Sequence, residues 1–137
     1  MKVVLDTNVL ISGMINPAGA PGRIVDFLRA GLLSLVVDDR ILAEYIDVLG
    51  REHFSIYFTK SEREDIIEYL LKNAYYTVGR VIADNLPDKG DVPFLEIALS
   101  EKVPLVTGNV KHYPKKARSG CTVLSPRQFI DGYLKGE

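Results

Sequence analysis

The chain has 137 residues, 47% hydrophobic and 26% charged, with a formal net charge of −1. These values describe an ordinary soluble globular protein of one domain, residues 1–137, large enough for a real hydrophobic core. Cys121 is the only cysteine, which excludes an intrachain disulfide and points to a reducing compartment. The apolar run at the N-terminus is broken by Asp6 and Asn8, too short and too polar for a signal peptide, and no later segment is long enough to span a membrane. The protein reads as cytoplasmic. Its global charge does not advertise nucleic acid as a partner, although a local patch is enough for that.

In chain order, Lys2–Asp6 reads as a buried strand and Val9–Met14 as a first helix, punctuated by Asn16-Pro17 and Pro21-Gly22. Ile24, Val25, Phe27, Leu28 and Leu32 have helical spacing, and Leu33–Val37 is a second buried strand. A helix begins at Asp39, with Ile41, Leu42, Tyr45, Ile46 and Leu49 on one face and Gly50 near its stop. An aromatic connector, His53–Phe58, follows. Ser61 and Glu64 have the spacing of a capping box and open a helix that runs to Ala74. Tyr75–Val81 is a short strand or extended segment, and Asp84–Gly90 a polar loop. Asp91 opens a helix with Pro93 in its first turn. Strands at Val103–Val106 and Cys121–Leu124 and a last amphipathic helix from Pro126 complete the chain.

Short strands alternating with helices indicate a parallel sheet covered by helices. Right-handed crossovers then place every strand-to-helix turn on one edge of that sheet, where open α/β folds bind ligands. Asp6 ends the first strand and Asn109 follows the Val103–Val106 strand, so the two become neighbours. Glu44 lies on the helix from Asp39, and Asp91 opens a late one. Taken singly, each has a plainer reading. Asp6 and Asp91 are good N-caps, Glu44 is an exposed helix glutamate, and Gly108-Asn109 is a common turn pair. Asp38 and Asp39 read as caps, Asp47 as solvated and Asp84 and Asp88 as loop residues. Glu96 is a weaker candidate, a turn further down its helix. Together, Asp6, Glu44, Asp91 and Asn109 suggest a site for a divalent metal and phosphodiester chemistry, because Mg²⁺ and Mn²⁺ prefer oxygen ligands and need few carboxylates.

The stretches Val3–Ser12, Asp91–Ala98, Val106–Asn109 with His112-Tyr113-Pro114, and Leu124–Phe129 resemble the PIN-domain family. The likeness covers nearly the whole chain and is nearest to VapC-like toxin components of toxin–antitoxin pairs. It implies a three-layer α/β/α fold with a central, mainly parallel sheet. It also implies a Mg²⁺- or Mn²⁺-dependent endoribonuclease acting on single-stranded RNA. Asp6, Glu44 and Asp91 are then the catalytic, metal-holding acids. The fourth acidic position of the family falls on Asn109, and Lys89-Gly90 stands where relatives often carry more acids. Both are departures.

Thr7 and Asn8 beside Asp6, with Thr107, Lys111 and His112 on the later turn, form the expected substrate-facing set. Lys102, Lys115, Lys116 and Arg118 lie near that turn, and Arg23 follows the early loop; they bind phosphates or are simply a solvated face. Tyr75, Tyr76 and Tyr113 stack bases or fill the core. The aromatic connector suggests an apolar patch and a homodimer, and the family adds a homodimeric habit and an antitoxin segment over the active-site groove. Two rivals remain open. One is a catalytically silent PIN-like module that only binds RNA or protein. The other is a haloacid-dehalogenase-like phosphatase, whose D-x-D would fall on Asp6-Thr7-Asn8 with the second acid missing.

Overall fold

The computed structural model describes residues 1–134. Five strands form one parallel sheet in the order β3-β2-β1-β4-β5: β1 Lys2–Leu5, β2 Ser34–Val37, β3 Tyr75–Tyr76, β4 Leu105–Val106 and β5 Val123–Leu124. The helices are α1 Thr7–Ile15, α2 Ala20–Arg29, α3 Asp39–Leu49, α4 Lys60–Asn73, α5 Val92–Glu101 and α6 Pro126–Phe129, the last continued by a π-helical turn, Ile130–Leu134. They cover the sheet in an α/β/α arrangement, with α1, α2 and α6 grouped together and α3 and α5 against β1 or β2. Val3, Val4 and Leu5 have no exposed surface, nor do Val36, Val37, Leu105 and Val106. That is why these strands read as continuous apolar runs: a parallel strand between two helical layers is buried on both faces.

From β1 the chain steps outward through β2 to β3, then returns to lay β4 on the other flank of β1. The order therefore reverses between β1 and β4, and the crevice outside their carboxyl ends is where this topology binds ligands. Register sets what meets there. Leu5 lies opposite Val106, and the ladder continues with the Asp6 N–H donating to the Val106 carbonyl at 2.9 Å. The next residues on each strand, Asp6 and Thr107, are thus side by side.

Two glycines close the α1–α2 hairpin. A Cβ at Gly13 would stand 2.4 Å from the Pro21 carbonyl oxygen, and one at Gly22 2.3 Å from that of Pro17. No side chain fits at either place. Helix α4 starts earlier than Ser61 suggested. Its capping box is Thr59 with Glu62: the Glu62 N–H donates to the Thr59 hydroxyl at 3.1 Å, and the Thr59 N–H donates to the Glu62 carboxylate at 3.0 Å. Both S/T-x-x-E registers exist in the sequence. Burial of Phe58 beneath α1 and α3 residues, Ile11 and Leu49, fixes where the chain enters the helix and selects the first.

Candidate active site

Asp6 occupies the N-cap position of α1, yet its side chain caps nothing. Its Oδ2 accepts instead from the Thr107 hydroxyl at 2.8 Å and the Tyr113 hydroxyl at 3.3 Å. The carboxylate is held toward the sheet edge by two buried donors. Burial raises its pKa above the ordinary carboxylate value, and these hydrogen bonds pull part of the way back. Thr107 has no exposed surface, so it cannot touch a substrate as expected. It positions Asp6, and its oxygen accepts from the Asn109 N–H at 3.0 Å. The Tyr113 ring is likewise wholly buried, which answers the choice between base stacking and packing. Its phenol is pushed well up by burial and by Asp6 and Asp91, so it stays protonated as a donor.

Glu44 sits on α3, half-buried, and its Oε2 accepts from the Thr7 hydroxyl. Thr7 is the first residue of α1, so this contact ties the helix that follows β1 to the one that follows β2. Beneath it, the Tyr45 hydroxyl donates to the Leu5 carbonyl at 2.6 Å. Neighbouring residues of α3 thus anchor to the end of β1 and to the start of α1. Asn8 closes the other side, accepting from the Gly108 N–H at 3.2 Å.

Asp91 ends a short 3₁₀ turn, Lys89–Asp91, and also makes no capping bond. It is 8% exposed. Its Oδ2 is shut off from solvent and accepts no hydrogen bond, although His112 Nδ1 lies 3.4 Å away. Burial first, then repulsion from Asp6 and Asp88, pushes its carboxyl up to about 6. Asp38, by contrast, is the cap it was read to be, its Oδ1 accepting from the Ile41 N–H at 2.9 Å.

Asp6, Glu44, Asp91 and Asn109 line one open cleft of about 450 Å³, together with Thr7, Asn8 and His112. Lys111 is exposed and does not line it. Tyr75 and Tyr76 stand on β3 at the far edge of the sheet, where the Lys2 ammonium lies over the Tyr75 ring at 3.5 Å. Glu96 is buried away from the cleft. It accepts from Arg40 Nη1 at 2.7 Å and from the Ala83 N–H at 2.9 Å.

Other cleft residues were not anticipated. Asp88, read as a loop residue, lines it, as do Arg51, His53 and Phe54. The Asp88–Asp91 spacing, one 3₁₀ turn, was the available signal for the first. The connector was expected to form a surface patch. Instead His53 and Phe54 face the cleft, their ring centroids 4.0 Å apart, Phe58 is buried, and Ile56 and Tyr57 stay exposed.

Fold and site together define a doubly wound α/β protein with acids from three separated segments at its switch point. The chain belongs to the PIN-domain family, whose profile matches residues 2–111 and whose members are generally nucleases. Uncharacterized protein MJ1680 of Methanocaldococcus jannaschii is 28% identical over 148 aligned positions, covering 98% of this chain and 93% of its own. In fold the chain is similar to one in the crystal structure of VapBC2 from Rickettsia felis bound to a DNA fragment from their promoter. There the TM-score is 0.59 at 16% identity, over 91% of this chain and 98% of that one.

Proposed function

We propose that the protein is a Mg²⁺- or Mn²⁺-dependent endoribonuclease that hydrolyses single-stranded RNA, and the toxin of a toxin–antitoxin pair. The observation that carries the nuclease reading is the convergence of Asp6, Glu44 and Asp91, with Asn109, on one cleft at the β1–β4 switch point. The donors fit a hard cation: three carboxylates and an amide oxygen, with Asp91 raised by uncompensated negative charge around it. Asp6, Glu44 and Asp91 would hold the ion. When bound, it supplies Lewis-acid stabilisation of phosphate charge and acidifies water for in-line attack.

The chain's own residues prepare that centre. Thr107 and Tyr113 orient Asp6, Thr7 orients Glu44, and Asn8 ties the Gly108 turn to α1. Asn109, on the cleft's edge, orients water or the scissile phosphate. Arg51 offers a cation to the phosphate chain, and the His53 and Phe54 rings offer faces on which unpaired bases stack. An aromatic wall beside the acids favours a single strand, since duplex bases are already stacked. RNA as the polymer, the antitoxin partner and the toxin role rest on the motif resemblance to VapC-like proteins. A homodimer, through the face that carries exposed Ile56 and Tyr57, and a cytoplasmic setting complete the reading.

Incubation with a mixed single-stranded RNA pool tests it. Cleavage should require Mg²⁺ or Mn²⁺ and should vanish in Asp6→Asn with the circular dichroism spectrum unchanged. RNA binding without cleavage in wild type would instead identify a silent module. Sedimentation at tens of micromolar, an order-of-magnitude choice for a functional interface, should give a dimer; a monomer removes that part of the reading.

A further inference from the structure

Asp88 and His112 stand outside the acid set proposed above, yet they meet one member of it. One ligand atom each from Asp88, Asp91 and His112 lies within 4.8 Å of the other two. They arrive from two separate 3₁₀ turns, Lys89–Asp91 with its N-cap Asp88 before α5, and Val110–His112 after β4. Asp88 is held in place because its Oδ1 accepts from the Gly90 N–H at 2.8 Å.

The Asp91 Oδ2 atom needs an explanation. It is buried and accepts no hydrogen bond. His112 Nδ1, 3.4 Å away, is too far for the bond a protonated imidazole makes to a carboxylate, about 2.7–2.9 Å. An ion pair therefore leaves the buried atom unsatisfied, at a cost of about 1–3 kcal/mol. A cation among the three donors accounts for it, since each donor then points at a common centre and not at its neighbour. Oxygen and imidazole ligands at about 2.0–2.2 Å from a divalent ion stand at most about 4.4 Å apart. The observed spread closes to that with a few tenths of an ångström of movement in an exposed histidine.

We infer that Asp88, Asp91 and His112 form a second cation site, with a mixed oxygen and nitrogen donor set that selects a transition ion such as Mn²⁺, Co²⁺ or Zn²⁺ over Mg²⁺. Imidazole suits transition ions, whereas Mg²⁺ keeps to oxygen and water. Asp91 is shared with the Asp6 and Glu44 side of the cleft, so the pairing of two ions, though not the site itself, rests on the function proposed above. The repulsion that Asp91 feels from both Asp6 and Asp88 agrees with a place between two centres of positive charge.

The test is a Co²⁺ titration of the chelator-stripped full chain, read by visible absorption, beside a calorimetric Mg²⁺ titration. Wild type, His112→Ala, Asp88→Asn and Asp6→Asn are compared. His112 is exposed, and an asparagine at 88 keeps an oxygen for the Gly90 cap, so both variants keep the fold. His112→Ala should weaken Co²⁺ binding at least tenfold and shift the absorption band, with Mg²⁺ affinity changed less than twofold. Asp88→Asn should weaken Co²⁺ binding several-fold. Co²⁺ affinity and spectrum identical in wild type and His112→Ala overturn the inference, even if Asp6→Asn abolishes Mg²⁺ binding as the proposed function requires. Conversely, if Asp6→Asn leaves Mg²⁺ binding and cleavage intact, the function falls while a Co²⁺ loss in His112→Ala still supports this site.

Discussion

Asp91→Asn should stabilise the metal-free protein. The wild-type carboxyl, raised from 3.8 to about 6, resists ionisation in the fold but not in the unfolded chain. Between these values the native state holds the proton longer, so stability falls as pH rises from 3.8 to 6 and stays low above. A shift of about two units, at 1.36 kcal/mol each, makes the cost about 3 kcal/mol at pH 7.5. At pH 4.5 the same linkage leaves about 1 kcal/mol, because the native carboxyl is then mostly protonated. The asparagine keeps the shape and carries no charge. At about 3–4 °C per kcal/mol for a chain of this size, its Tm in EDTA at pH 7.5 should exceed wild type by about 10 °C. The gap should narrow to a few degrees at pH 4.5. Saturating Mn²⁺ should reverse the order, since an ion at 100 times its Kd adds about 2.7 kcal/mol to the form that binds it. Scanning calorimetry at both pH values, with EDTA and with Mn²⁺, reads all of this. A variant less stable than wild type in EDTA at pH 7.5, or a gap equal at both pH values, refutes the electrostatic account of Asp91.

Asn109→Asp adds a charge beside the acids at almost no change in shape, and calorimetry should show Mn²⁺ bound about tenfold tighter, some 1.4 kcal/mol; unchanged or weaker binding separates residue 109 from the cation. Glu96→Ala strands the Ala83 N–H and the Arg40 guanidinium, and should cost about 2 kcal/mol in urea denaturation. Glu96→Gln, which keeps one acceptor, should cost about half of that, so equal costs would argue against the hydrogen bonds. Lys102 ends α5 in the left-handed region at φ 56°, where glycine is at ease. Lys102→Gly should therefore stabilise the protein by about 0.5–1 kcal/mol in the same assay, and a loss of stability would mean that the lysine side chain contributes more than its backbone costs.

The sequence alone carried the elements and most of the residues that share the cleft. Apolar runs marked β1, β2 and β4 because strands buried on both faces admit little else. An acid or amide just past β1 and β4 had to reach one edge once the sheet was parallel. What it left open was which acids do ordinary work. Asp6, Asp38 and Asp91 all stand where an N-cap belongs, and nothing in local sequence separates them. The fold does so: Asp38 caps α3, while Asp6 turns to Thr107, a hundred residues away in the chain, and Asp91 is buried with an oxygen unpartnered. Thr107 looked like a surface turn residue until strand register set it beside Asp6. Glu96 looked like a lesser site acid until packing buried it against Arg40. Asp88, His53 and Phe54 lie in segments without periodicity, so only the close approach of the α3–α4 connection and the turn before α5 to the β1–β4 crevice brings them to the site. Propensity and pattern act over a few residues. The identity of a buried partner is decided by which strands lie side by side, and that is a property of the closed sheet.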